Sequence, residues 1–145
     1  MSYDPNNVFA KILRGQLPSI KVFEDADTLA LMDIMPSAEG HTLVIPKEPA
    51  ETLFELSGHA ASALMLTTHR VAAAVKAALA CPGIMLVQLN GVAAGQSVPH
   101  LHMHIVPRYE GLDLGLHGRT RADIKELENI AARIRQHFQP LPSNP

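Results

Sequence analysis

The sequence predicts an α+β fold in a single domain. Two short strand candidates at 20–24 and 28–33 flank an Asp-Ala-Asp segment that is typical of a β-hairpin turn. A stripe of apolar residues at helical spacing runs through the alanine-rich segment between 57 and 80, which predicts one long helix. At 145 residues, 47% of them hydrophobic, the chain can bury a core of its own.

Two shorter helices are expected at the ends of the chain. The first begins at Asp4-Pro5, because Asp is a good N-cap and Pro is favoured at the first helical position, and Gly15 ends it. The second covers about 121–138, where a capping-box-like segment that begins at Thr120 precedes apolar residues spaced by three and four. Residues 139–145 are expected to form a flexible tail.

Three further strands are predicted between these helices. A buried run at 43–45 stops at Pro46, a second strand covers 84–90, and a third covers 100–108. The last two are joined by a loop at 91–95 that contains two glycines. Such a loop lets the backbone approach a ligand closely, and its N–H groups can bind an anion.

The last of these strands carries the most informative pattern in the chain. His100, His102 and His104 alternate with Leu101, Met103 and Ile105. Successive side chains of a strand point to opposite faces, so the three histidines would share one face. The aliphatic face can then pack on a core while the imidazoles line a cleft.

Three interpretations of this row of histidines are possible. It could bind a metal ion, since histidine is a common ligand. However, the outer two Cβ positions of such a strand lie about 13 Å apart, which is too far for one ion to reach all three rings. It could be a polar sheet face without chemistry. The third interpretation is nucleophilic catalysis, because a neutral imidazole with a pKa near 6.5 attacks phosphorus well at neutral pH.

The composition argues against several function classes. The formal net charge of −2 gives no electrostatic footprint for long nucleic acids. The single Cys81 cannot form an intramolecular disulfide, which fits a reducing, cytoplasmic compartment. The N-terminus has no signal-peptide pattern, and the longest apolar segment is interrupted by charged residues. We therefore expect a cytoplasmic protein that contacts neither nucleic acid nor membrane.

Three blocks of the sequence together resemble a known family. Gly-Gln-Ser-Val at 95–98 precedes His-x-His-x-His, Gly-His-Thr-Leu-Val-Ile-Pro-Lys occupies 40–47, and Leu-Met-Asp-Ile-Met-Pro occupies 31–36. These blocks resemble the histidine triad (HIT) family of nucleotide hydrolases and transferases. The resemblance implies a HIT-like antiparallel sheet of about five strands in one domain at 1–138, with its core at 4–108. It also implies a homodimer joined partly through the long helix and the strand after it.

The resemblance assigns roles to individual residues. It implies that His102 is the nucleophile that forms a nucleotidyl-histidine intermediate, that His104 contacts the phosphate, and that His100 orients His102. His41 would support the triad from behind, and Ser97 would stand near the leaving group. The remaining nucleotide contacts that it implies are made by Asp33 to the ribose, Ile34 to the base, and Asn90 and Gln96 to the phosphate or leaving group.

Neither a cofactor nor a metal is expected. Many bacterial members of the family carry a Cys-x-x-Cys pair in the first helix as part of a structural zinc site, but this chain has Asn7 and Ala10 at those positions. The family's zinc site is therefore predicted to be absent. Imidazole, hydroxyl and backbone N–H groups can supply the charge stabilisation that the chemistry needs.

The substrate is a purine nucleotide in this interpretation, and two branches of the family compete. Ser97 is typical of the branch that cleaves nucleoside phosphoramidates, which we favour. Pro107-Arg108 and the additional C-terminal helix resemble the branch that splits dinucleoside polyphosphates. A nucleotide-sensing protein whose hydrolysis is incidental is the alternative from another class.

Overall fold

A computed structural model describes residues 3–111 and 120–143. Five antiparallel strands form one sheet in the order β1-β2-β3-β5-β4, and the predicted α+β fold of about five strands is confirmed. The strands are β1 Lys21–Glu24, β2 Thr28–Met32, β3 Thr42–Pro46, β4 Gly83–Gln88 and β5 Met103–Arg108. The helices are α1 Val8–Leu13, α2 Gly58–Leu79 and α3 Ile124–Gln136.

The two faces of the sheet bury different clusters. On one face, α2 and α3 cover a large apolar cluster that includes Val44, Met103 and Ile105. On the other face, a smaller cluster of strand residues contains Phe9 from the short helix α1. Because α1 covers only part of that second face, an opening is left between α1 and the ends of the central strands.

The long helix forms as its sequence predicts. The Ser57 side chain accepts a hydrogen bond from the backbone N–H of Ala60, which satisfies one of the donors at the start of the helix. Leu64, Val71 and Val75 form its buried stripe. The helix ends at Ala80, which adopts a left-handed conformation.

Both shorter helices begin later than the sequence predicted. The N-cap of α1 is Asn7, not Asp4, because the Asn7 side-chain oxygen accepts the Ala10 N–H while Asp4 bonds the N–H of Asn6 in the turn before. The N-cap of α3 is Asp123, not Thr120, because the Asp123 carboxylate accepts the Lys125 N–H.

The strand that carries the histidines is also shorter than predicted. It begins at Met103, so His100 and His102 precede it and only His104 lies within the ladder, opposite Leu43 and Val87. The reason is that the N–H of Leu101 bonds the carbonyl of Ala50, outside the sheet. The separation of faces nevertheless persists, because Leu101 packs in the large cluster with Met103 while His102 lines the opening.

A glycine lets the turn before β3 approach α2. Gly40 has a φ of +88°, and a side chain there would collide with Leu79. This close approach fixes the segment between β2 and β3, which carries Asp33 and His41.

Parts of the predicted loop after Arg108 and of the predicted tail, at 112–119 and 144–145, lie outside the described residues. Within the described part of the chain, the helices are too short or too polar to cross a bilayer.

Candidate active site

The opening beside α1 is a pocket of about 570 Å³, a size that is usual for small-ligand sites. Its walls are mostly apolar, and its polar groups are concentrated where the strand ends meet the segment before β5. The predicted site residues that line it are Asp33, Ile34, Ser97, His102 and His104.

His102 is held in one orientation by its own backbone neighbour. Its Nδ1 lies 2.7 Å from the carbonyl oxygen of His100. A carbonyl oxygen only accepts, so Nδ1 carries the proton and the neutral ring has its lone pair on Nε2. The ring also packs edge-on against Phe9, with 4.9 Å between the ring centroids. His102 is 5% exposed and lines the pocket, so its Nε2 belongs to a largely desolvated site.

A chain of hydrogen bonds stands behind His104. The backbone N–H of Ser37 donates to His41 Nδ1 at 3.1 Å, so the neutral His41 ring carries its proton on Nε2. That atom is 3.0 Å from His104 Nδ1, which therefore accepts, and the neutral His104 ring carries its proton on Nε2. Through this relay the backbone at Ser37 fixes His104 as a donor in the pocket.

Asp33 caps a turn with one carboxylate oxygen and faces the histidines with the other. Its Oδ1 accepts the N–H of Met35 at 2.8 Å, which caps the turn after β2. Its Oδ2 lies 3.4 Å from His41 Nε2. The carboxylate also lines the pocket, where it can accept hydrogen bonds from a vicinal diol.

His100 is fully buried and does not line the pocket. Its Nε2 donates to the carbonyl of Pro46 at 2.8 Å, and its Nδ1 lies next to the hydroxyl of Tyr3. Burial is the main cause that lowers the pKa of His100, and the proximity of His102 lowers it further. The ring is therefore a structural anchor in its neutral form, and its link to His102 runs through its carbonyl group.

Asn90 and Gln96 are placed away from the pocket wall, and their polar groups bond other parts of the protein. The Asn90 side chain accepts the N–H of Leu53 and exchanges hydrogen bonds with Gln88. The Gln96 side chain accepts the N–H of Gly91 and donates to the carbonyls at Glu51 and Val98. Both amide hydrogens of Gln96 are used in this way, so a bond from Gln96 to a phosphate requires the loss of one of them.

Several pocket residues were not singled out in the sequence. The apolar wall comes from α1 and from the segments beside it. The apolar residues of α1 have the spacing of any small amphipathic helix, so the sequence did not mark them as part of a site. Arg121 also lines the pocket, because the N–H of Ala122 bonds the carbonyl of Ile34 and brings the start of α3 to the end of β2. The unanticipated lining residues are Val8, Phe9, Ile12, Leu17, Pro18, Ser19, Leu31, Met32, Met35, Leu43, Val98 and Arg121.

One group of side chains in the described parts of the chain, 3–111 and 120–143, has the spacing of a metal site. The ligand atoms of Asp33, His41 and His104 lie within 4.8 Å of one another. However, the Ser37 N–H places the proton of His41 on Nε2, the atom at the centre of this group. A cation there would require His41 to change tautomer and give up the bond from Ser37. The hydrogen-bond pattern therefore favours a proton network.

The protein-family model of the HIT domain matches residues 14–111, which include β1 to β5 and the whole histidine row. The chain belongs to the HIT family. Within the family it is 40% identical over 133 residues to the protein Hit of Bacillus subtilis, covering 89% of this chain and 92% of that protein. The adenosine 5′-monophosphoramidase Hnt1 of Schizosaccharomyces pombe is 38% identical over 134 residues, covering 88% of this chain and 98% of that enzyme.

A solved structure of the HIT family agrees with this fold. The crystal structure of a Hit-like protein from Bartonella henselae superimposes with a TM-score of 0.91 at 40% identity, covering 95% of this chain and all of that one. The resemblance inferred from the three sequence blocks is thus confirmed. The roles of the individual site residues remain proposals.

Proposed function

We propose that this HIT protein hydrolyses nucleotides at the α-phosphate through a nucleotidyl intermediate on His102. The observation that carries the proposal is the bond from His102 Nδ1 to the carbonyl of His100, which leaves the lone pair on Nε2 in a pocket shared with Asp33 and His104. Removing a ring from water and fixing its orientation reduces the entropy that a nucleophile loses on attack.

In the first step the Nε2 lone pair of His102 forms a bond to the α-phosphorus, and the bond from phosphorus to the leaving group breaks. The leaving group departs with the electron pair of that bond and takes up a proton from solvent. The proton stays on Nδ1 and is donated in a hydrogen bond to the carbonyl of His100, which stabilises the positive charge that develops on the ring. The Nε2–H of His104 would donate to a phosphate oxygen, and Ser97, an exposed residue of the pocket lining, would contact the leaving group.

In the second step a water oxygen attacks the same phosphorus, and the bond from phosphorus to Nε2 breaks. The electron pair of that bond returns to Nε2, the water loses a proton to solvent, and a nucleoside monophosphate leaves. Because the intermediate is a labile phosphoramidate, water alone can complete the reaction, and no metal enters either step.

The shape of the pocket supports a nucleoside as the bound group. The apolar wall from α1 and the exposed Ile34 can cover the faces of a base, while Asp33 can accept hydrogen bonds from both ribose hydroxyls. Arg121 adds a positive charge at the same end. A purine suits this arrangement, because a large flat ring can use much of an apolar wall.

We propose a purine nucleoside phosphoramidate or a related mononucleotide as the substrate class. Ser97 lies in the pocket as that branch requires, and the S. pombe relative is named for this activity. The dinucleoside polyphosphate branch is less favoured, because Arg108 lies at the far end of β5, near Met85, and does not line the pocket. That branch is the second candidate, because α3 resembles its additional C-terminal helix.

We also propose that the protein is a homodimer joined through β4 and α2. β4 is an edge strand and is only partly buried along its length. Leu86 on β4 and Met65 and Leu66 on α2 are each about half exposed, and a second copy of the chain could cover them. The cytoplasmic location and the domain limits at 1–138 remain predictions.

The experiment measures AMP release from adenosine 5′-phosphoramidate and from diadenosine tetraphosphate, with a chelator present, for wild type and His102→Asn. Turnover by wild type that the variant loses supports the proposal, and the ratio of the two substrates identifies the branch. Activity that depends on added metal, or that survives in His102→Asn, contradicts covalent catalysis at His102. Tight AMP binding without turnover supports a nucleotide sensor.

A further inference from the structure

The segment that presents the nucleophile lies outside the sheet ladder, so something else must hold it. β5 begins at Met103, after His102. The backbone before it is fixed by the bond from the Leu101 N–H to the carbonyl of Ala50, and by the side chain of His100. The position of the His100 carbonyl, which orients His102, therefore depends on how firmly the His100 ring is anchored.

Two groups from distant parts of the chain anchor that ring. The carbonyl of Pro46 accepts from Nε2 at 2.8 Å, so the neutral ring has its lone pair on Nδ1. The hydroxyl of Tyr3, 97 residues away in sequence, lies within hydrogen-bond distance of Nδ1 and is the donor. The Tyr3 ring also packs edge-on against His100, with 5.6 Å between the ring centroids.

The direction of the Tyr3 hydroxyl is itself determined by a neighbour. Asn7 Nδ2 donates to the Tyr3 oxygen at 2.9 Å, so that oxygen is already an acceptor and its own proton is directed to His100. Asn7 is 5% exposed, and its side-chain oxygen caps α1 through the Ala10 N–H. The start of α1, the Tyr3 hydroxyl and the His100 ring thus form one hydrogen-bonded unit.

We propose that Tyr3 is a positioning residue for the nucleophile. The Pro46 carbonyl sets the Nε2–H tautomer of His100, and the Tyr3 hydroxyl, bonded to Nδ1, holds that ring in place and thereby keeps the His100 carbonyl against His102 Nδ1. Tyr3 does not line the pocket, so it acts through His100 and makes no contact with the nucleotide. The consequence for catalysis rests on the proposed function, whereas the consequence for the ring tautomers does not.

The test uses Tyr3→Phe, which removes the hydroxyl and keeps the ring. Its matched control is Tyr109→Phe, the same change at the second of the two tyrosines, which lies just beyond β5 and does not line the pocket. Because one hydrogen bond is lost, we expect kcat of Tyr3→Phe on the phosphoramidate to fall about three- to tenfold while KM stays close to wild type. Tyr109→Phe keeps wild-type values.

A second readout follows the ring nitrogens directly. Long-range nitrogen-15 NMR spectra of the ligand-free protein, recorded above about pH 7.5 where histidines are neutral, assign the tautomer of each ring. Wild type is expected to show His100 protonated on Nε2 and His102 protonated on Nδ1. In Tyr3→Phe the His102 pattern shifts towards a mixture of both tautomers, and in Tyr109→Phe it does not. Both spectra are recorded below the unfolding temperature of each variant.

Three results would overturn the proposal. The first is wild-type kcat and wild-type ring patterns in Tyr3→Phe. The second is a loss of kcat with unchanged ring patterns, which would assign the effect to another route. The third is a rise in KM at constant kcat, which would place Tyr3 in nucleotide binding. If no nucleotide is hydrolysed, the proposed function fails, but the tautomer measurement still decides the role of Tyr3.

Discussion

The two faces of segment 100–105 differ in the kind of contact that surrounds them. Leu101, Met103 and Ile105 pack against an apolar cluster with α2 and α3, where contacts have no required direction. His102 and His104 lie on the other face, where each ring is oriented by a specific hydrogen bond. The apolar face should therefore determine stability, and the imidazole face should determine chemistry. Substitutions on the two faces test this division.

The largest expected effect is on the imidazole face. His102→Asn removes the nitrogen that we propose as the nucleophile but keeps a polar side chain of smaller volume in a site with an opening to solvent. We expect turnover to fall by at least about a thousandfold, as for other lost nucleophiles, while the variant stays folded. Steady-state kinetics and circular dichroism check both parts. A folded variant that retains more than a few per cent of wild-type turnover would contradict the division.

The matching change on the other face is Ile105→Ala. Ile105 is fully buried in the large cluster, so the truncation leaves a cavity and should reduce the free energy of unfolding by about 2–5 kcal/mol. Activity per folded molecule should remain near wild type, because the side chain points away from the pocket. Urea denaturation and kinetics at low temperature measure the two quantities. A loss of kcat in Ile105→Ala as large as that in His102→Asn, without a loss of stability, would contradict the division between the two faces.

An intermediate effect is expected at His41, which bonds a ring of the imidazole face and is itself fully buried. His41→Ala removes the hydrogen bond from His41 to His104 and leaves a cavity in the interior. The loss should reduce the free energy of unfolding by about 1–3 kcal/mol. The lost orientation of His104 should also lower kcat by about ten- to a hundredfold. His59→Ala is the control, because that histidine is exposed on α2, where it lies 3.2 Å from Asp27 at the surface. Loss of stability without loss of kcat would limit His41 to a structural role.

The smallest expected effect is a pH dependence of stability that comes from His100. Burial lowers the pKa of His100 below its usual value, so the unfolded chain binds a proton there that the folded protein does not. Stability from this group is therefore present above the unfolded pKa of about 6.5 and is lost as the pH falls below it. The melting temperature should fall less between pH 7 and pH 5 in His100→Asn than in wild type. An equal fall in both would contradict this.

The apolar face of the histidine row could be predicted from sequence more fully than the imidazole face. Period-two alternation at 100–105 gave the two faces, and Ser57 gave the start of α2, because each is a local pattern. The bond from Leu101 to Ala50, which delays the start of β5, joins residues that are 51 positions apart in the numbering, and no local pattern reports it. The fold class can be predicted even when the start of β5 is misplaced. The bond that orients His102 cannot be predicted from the fold class.

The polar residues around the site also have contacts that local sequence patterns do not predict. Asn90 and Gln96 stand in the right blocks of sequence, but their side chains are used by neighbours in the loops at 51–53 and 88–98. Asp4 and Asn7 are both acceptable N-caps, and the choice between them depends on Tyr3 and on the turn before α1. Arg121 reaches the pocket because α3 docks on the end of β2. In each case a nonlocal partner decides the geometry.

The most direct test of covalent catalysis is the stereochemical course at phosphorus. A substrate whose α-phosphorus is made chiral with sulfur and oxygen isotopes is hydrolysed by the wild-type protein, and the configuration of the released nucleotide is determined by NMR. Attack by His102 followed by attack by water consists of two in-line displacements, each of which inverts the centre, so the result that we predict is net retention. Net inversion would mean that water attacks the substrate directly, and it would contradict a nucleotidyl-histidine intermediate.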